Sequence, residues 1–71
     1  MNWTRKENVE VTSCYGNIYA IWTNENADTL VFKGNVFESK ITAFLTLDNV
    51  KTEHNGTLEE LENNFNVKYL C

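Results

Sequence analysis

The stretch GNIYAIWT (Gly16–Thr23) has the two-residue alternation of a β-strand, but both of its faces carry apolar side chains. One face would carry Ile18, Ala20 and Trp22, and the other would carry Tyr19 and Ile21. When just one face of a strand is buried, just that face has to be apolar. The pattern therefore predicts a strand whose second face is suited to contact with a further layer or a partner.

Residues 9–14 alternate in the same way and predict a hairpin with this strand. If Tyr15–Gly16 forms the turn, Val11 faces Ala20 and Val9 faces Trp22. A slip of one residue would turn one apolar set away from the other, so the match supports this register.

A second hairpin is predicted over residues 28–49, with Gly34–Asn35 as the turn and Phe32 opposite Phe37. Apolar and polar positions alternate from Phe37 to Asp48. A helix over 36–46 remains the alternative, but the threonines and the matched hairpin favour a strand over 36–47. The polar residues 24–28 link the two hairpins into a four-stranded antiparallel meander.

A helix is predicted after the polar residues 49–56, because Thr57 and Glu60 have the spacing of a capping box. Leu58, Leu61 and Phe65 then fall on one helical face. The terminal residues 66–71 (NVKYLC) are the candidate for a short fifth strand.

Together these elements predict that residues 1–71 form a single small α+β domain, in which two β-hairpins pack on one C-terminal helix. The predicted core face of the sheet carries Val9, Val11, Ile18, Ala20, Trp22, Leu30, Phe32, Phe37, Ile41, Ala43, Leu45 and Leu47. The opposite face carries Glu10, Thr12, Tyr19, Ile21, Thr29, Val31, Glu38, Lys40, Thr42, Phe44 and Thr46.

Charge and composition narrow the classes of partner. Ten acidic and six basic residues give a net charge of −4, which disfavours direct binding to nucleic acids. Because the chain has neither a secretory leader pattern nor an apolar run long enough for a membrane, we expect a cytoplasmic protein. Cys14 and Cys71 are then expected to be free thiols. Eleven asparagines and a single arginine are typical of AT-rich genomes, such as those of phages.

No catalytic, cofactor or metal motif is present in the sequence. His54 is the only histidine, and it lies in a polar stretch that predicts a solvated loop. A Cys14–His54 nucleophile pair has no support from spacing, and no pair of residues has metal-ligand spacing. The sequence therefore predicts a protein that is not an enzyme and that holds neither a metal nor a cofactor.

The first functional hypothesis is a small binding protein that acts stoichiometrically on a protein partner. A phage or mobile-element inhibitor of a host defence or nucleic-acid enzyme would fit the composition. Aromatic and aliphatic side chains within a polar rim are typical of association surfaces, so we assign partner binding to Tyr19, Ile21, Val31 and Phe44. The face could instead be covered by a second copy or by the N-terminal arm with Trp3.

The alternative hypothesis is a homo-oligomer that sequesters a small anionic ligand, such as a nucleotide signal, between subunits. Arg5, Lys6 and Lys40 are the residues that would meet the anion.

Overall fold

An open antiparallel sheet and one helix make up the computed structural model, which describes residues 2–6, 16–35 and 37–69. The elements are β1 (Thr4–Arg5), β2 (Asn17–Thr23), β3 (Thr29–Asn35), β4 (Ile41–Leu47), β5 (Val50–Gly56) and α1 (Leu58–Phe65). The five strands lie side by side in the order β1-β2-β3-β4-β5. The predicted α+β class and the antiparallel meander are confirmed.

The core lies between α1 and one face of the sheet, and alternate residues of β2, β3 and β4 supply it. Its buried members are Ile18, Ala20, Trp22, Leu30, Phe32, Ile41, Ala43 and Leu61. The rings of Trp22 and Phe32 meet edge to face with their centroids 4.8 Å apart. The apolar stripe of α1 covers this face as predicted, because Leu61 is buried and both Leu58 and Phe65 pack against the cluster.

The predicted register of β3 and β4 is wrong, although the predicted faces are right. Phe32 pairs with Ala43, six residues further along the chain than the predicted partner Phe37. Because side chains alternate with a period of two, a shift by an even number of residues leaves every strand residue on its predicted face. Phe37 itself lies in the connecting loop and is 87% exposed, so its assignment to the core is also wrong.

Gly34 is a strand residue and does not form the predicted turn. A Cβ atom added at Gly34 would lie 2.5 Å from Cγ2 of Ile41 on β4, so only glycine fits this close approach. The chain turns after Asn35, whose side-chain oxygen accepts the N–H of Phe37 and whose carbonyl accepts the N–H of Glu38. This Asx-type turn places the reversal beyond the glycine.

The fifth strand lies where the sequence predicted a polar connection. β5 pairs with β4 through a two-residue turn, in which Asp48 and Asn49 have φ values of 49° and 65°. Such left-handed pairs form type I′ hairpin turns, for which Asp and Asn are suited. The fifth strand predicted at residues 66–71 is not found, since residues 67–69 form no strand and 70–71 lie outside the described residues.

The N-terminal part of the predicted first hairpin also needs correction. The position opposite Trp22, predicted for Val9, is taken by Arg5 of β1. Residues 7–15, with Val9, Val11 and Cys14, lie outside the described part of the chain, as does Cys71. Trp3 packs against the core cluster, on the helix side of the sheet, so this residue does not cover the opposite face.

Hydrogen bonds connect the β2–β3 turn to the β4–β5 turn at one end of the sheet. The side-chain oxygen of the buried Asn24 accepts the N–H groups of Asn26 and Asp28. One carboxylate oxygen of Asp28 accepts the amide of Asn24, and the other accepts the backbone N–H of Asp48. The hydrogen bond from Asp48 to Asp28 therefore fixes the position of the β4–β5 turn relative to the β2–β3 turn.

Replacing the central core residue of the helix should destabilise the whole domain. Leu61 is 2% exposed, so Leu61→Ala is expected to lower the free energy of unfolding by about 2–4 kcal/mol. Asn63→Ala, on the exposed side of α1, is expected to change it by about 0.5 kcal/mol or less. Equal losses in the two variants, measured by urea unfolding, would contradict this core.

The predicted capping box is present and makes the start of α1 sensitive to pH. The backbone N–H of Thr57, then its hydroxyl, and then the charge of Lys40 lower the pKa of the Glu60 carboxyl from its usual 4.5. A lowered pKa in the folded state gives stability that is present above the usual pKa and is lost as the pH falls below it. Carboxyl NMR titration should show this lowered pKa, and Thr57→Ala should raise it only part of the way toward 4.5, because alanine keeps the backbone N–H and removes the hydroxyl. A Glu60 pKa that is unchanged in that variant would contradict the assignment.

Candidate functional site

The four residues predicted to bind a partner lie together on the side of the sheet opposite α1, called here the open face. Ile21 pairs with Val31, and Val31 pairs with Phe44 on the next strand. These three residues form a continuous row across β2, β3 and β4. Tyr19 stands two residues before Ile21 on β2 and therefore on the same face. The predicted cluster is one contiguous patch.

Polar rows lie on both sides of this apolar row. One runs through Tyr19, Lys33, Thr42 and Asn55 in register across four strands. The other runs through Thr4, Thr23, Thr29, Thr46 and Lys51 across all five strands. An apolar strip with a rim of hydroxyl and amine groups has the composition of a protein association surface.

The apolar side chains of the patch keep part of their surface in water. Tyr19 is 38% exposed, and Ile21, Val31 and Phe44 are half-buried. The ammonium group of Lys51 lies over the ring of Phe44, with Nζ 4.8 Å from the ring centre. This lysine shields one side of the aromatic ring and brings a positive charge to the middle of the face.

The open face has a shallow hollow of about 390 Å³ near the apolar row. Its lining consists of Tyr19, Thr29, Val31, Lys33, Phe44, Thr46 and Lys51. The only charged residues in this lining are the two lysines, although the chain as a whole has a net charge of −4. The lining of the hollow is therefore basic, while Glu53 on β5, which pairs with Phe44, puts one carboxylate at the end of the apolar row.

The residues predicted for an anionic ligand do not come together within one chain. Arg5 lies on β1 opposite Trp22, and its guanidinium carbon is 5.4 Å from the centre of that ring and 5.5 Å from the centre of Tyr69. Lys6 follows it on the same edge. Lys40 precedes β4, which lies three strands away from β1 in the sheet. The intersubunit ligand site stays a prediction that would need residues from different chains.

His54 is exposed as predicted, but it belongs to β5 rather than to a loop. Its Nε2 atom lies 3.0 Å from the hydroxyl of Thr52, and its ring meets the edge of Phe65 with centroids 5.3 Å apart. Within the described residues, no group of three or more His, Cys, Asp or Glu side chains is arranged to hold a metal ion.

Three residues suited to partner contact were missed by sequence reasoning. Lys51 was missed because its polar stretch predicted a loop, and Lys33 because the predicted register placed it beside a turn. Phe37 was assigned to the core, yet it stands exposed on the β3–β4 loop. The Asp-Asn pair at 48–49 was the available signal for β5 and hence for Lys51.

Comparisons with protein-family models, with curated proteins and with solved structures gave no match to this chain. In the described part of the chain, no helix has the length and the apolar character needed to cross a membrane.

Paired substitutions should separate the open face from the core. Phe32 is fully buried, so Phe32→Ala is expected to cost about 3–5 kcal/mol of unfolding free energy. Phe44→Ala should cost less than half as much, because the ring is only half-buried and leaves no closed cavity. Thermal and urea unfolding would measure both, and equal losses would mark Phe44 as a core residue.

Proposed function

We propose that this chain is a non-enzymatic binding protein that acts stoichiometrically by covering part of a protein partner with its open face. The observation that carries the proposal is the continuous row formed by Ile21, Val31 and Phe44 beside the exposed ring of Tyr19. Aromatic and aliphatic side chains surrounded by polar groups supply most of the binding energy at such surfaces.

The charges around the hollow indicate the chemistry of the partner. Lys33 and Lys51 border it, and each can donate hydrogen bonds to a carboxylate. A protein surface that offers an apolar side chain flanked by Asp or Glu would match both the row and its basic border. Such complementary charges raise the association rate and select among partners.

Composition suggests which partners to examine first. The excess of asparagine and the single arginine support an AT-rich source such as a phage or mobile element. A cytoplasmic host defence or nucleic-acid enzyme is accordingly the proposed target, and inhibition by surface coverage is the proposed mode of action. The non-enzymatic role is supported by the absence of catalytic motifs from the sequence.

The test is capture of the partner with the tagged full chain in cells of its source, followed by binding measurements with purified variants. Tyr19→Ala and Phe44→Ala should each weaken binding at least tenfold while the chain stays folded, because both remove central contact area. Lys33→Glu should weaken binding and should also make the affinity fall less steeply as the salt concentration is raised. The matched control is Asn63→Ala on α1, which should leave affinity unchanged.

Either of two results would contradict the proposal. The first is a captured partner whose affinity is unaffected by Tyr19→Ala, Phe44→Ala and Lys33→Glu but is lost on changes to α1. The second is a loss of folding in Tyr19→Ala and Phe44→Ala equal to that in Phe32→Ala.

A further inference from the structure

The outer edge of β5 is a long exposed strand edge. β5 has seven residues, and among the described residues it pairs only with β4. All of its residues except Gly56 are exposed. The opposite edge of the sheet is formed by β1, which has two residues. An edge strand of this length presents a row of backbone N–H and C=O groups to another strand.

The hairpin geometry determines which residues of β5 offer those groups. Leu47 and Val50 close the two-residue turn, and such a closing pair is hydrogen-bonded. Hydrogen-bonded and non-hydrogen-bonded pairs alternate along an antiparallel ladder. Thr52 and His54 therefore also bond toward β4. The backbone groups that point outward are those of Lys51, Glu53 and Asn55.

Only a few registers let two copies of this edge pair with each other. In a symmetric antiparallel pair, the outward-pointing residues of one strand must lie opposite those of the other. Centring the pair on Lys51 or on Glu53 would set like charges against each other, and centring it on His54 would set Glu53 against Asn55. Centring it on Thr52 sets each Lys51 against a Glu53. Of these four registers, it is the one that makes opposite-charge pairs while keeping the hydrogen bonds.

We propose that β5 pairs antiparallel with β5 of a second copy of this chain, with the two-fold axis passing between the two Thr52 residues. Lys51 and Glu53 of each copy then form two opposite-charge pairs on the open-face side, which favours this register. On the helix side, Val50, which is 64% exposed in the single chain, comes to lie opposite His54 of the second copy.

The pairing would join two five-stranded sheets into one continuous sheet of ten strands. Because the two-fold axis is perpendicular to the sheet at this edge, both open faces point in the same direction. A partner with two copies of its own binding surface would then meet two patches at once, which raises the apparent affinity. The dimer does not depend on the proposed function, since of the residues assigned to partner contact it uses only Lys51 and leaves Tyr19, Val31 and Lys33 uncovered.

Charge reversal at the two paired positions tests the proposal. Sedimentation equilibrium over a range of concentrations should show a monomer–dimer equilibrium for the native chain. Glu53→Lys and Lys51→Glu should each weaken dimerisation roughly tenfold or more, because each sets like charges opposite one another twice. The double variant with both changes should dimerise like the native chain. An equimolar mixture of the two single variants should form a heterodimer, since their charges are then complementary.

Cross-linking tests the register directly. In a background with Cys14→Ser and Cys71→Ser, Thr52→Cys should form an intermolecular disulfide, because Cα atoms of a central non-hydrogen-bonded pair lie about 4.5 Å apart. Asn55→Cys is the matched control on the same strand, since its two copies would be roughly 20 Å apart. It should not cross-link.

A chain that stays monomeric at millimolar concentration would overturn the proposal, as would a dimer that is indifferent to both single charge reversals. A disulfide formed equally well by Thr52→Cys and Asn55→Cys would overturn the register. The open-face variant Tyr19→Ala, on β2, should keep the native dimer. Failure of the edge pairing is therefore distinguishable from failure of the proposed function.

Discussion

The structure depends on the packing of one short helix against one face of the sheet. α1 has eight residues, and its buried Leu61 meets the side chains that β2, β3 and β4 direct to the same side. That contact decides which face of every strand is inside. Because side chains alternate along a strand, the intervening side chains point to the other face, which no helix of the described residues covers.

The side chains of the open face have the mixed apolar and polar character of a surface that is partly exposed to water. Its apolar row is narrow and is bordered by threonines and lysines, and the ring of Phe44 is partly covered by the ammonium group of Lys51. The acidic residues Glu59 and Glu60 begin the helix and are exposed, where the positive end of the helix dipole favours them. The start of the helix therefore carries negative charge, and two lysines border the hollow.

Much of the candidate site was predictable, because the face of a sheet to which a strand residue points depends only on its position along its own strand. Tyr19, Ile21, Val31 and Phe44 were assigned to one face by alternation alone, and pairing across the sheet makes them neighbours. The error in the β3–β4 register did not disturb this assignment, since the shift was even. Lys51 was not predictable in the same way, because a polar edge strand has no apolar periodicity to distinguish it from a loop.

The sequence by itself determined the α+β class, the capped helix and the face that each described strand residue of the core and patch takes. These follow from periodicity and from capping chemistry, which act over a few residues. The tertiary structure decided the register of β3 and β4, the place of the fifth strand and the residue beside Trp22. Those choices join residues far apart in the chain, and close contacts such as Gly34 with Ile41 select among pairings that local pattern leaves equivalent.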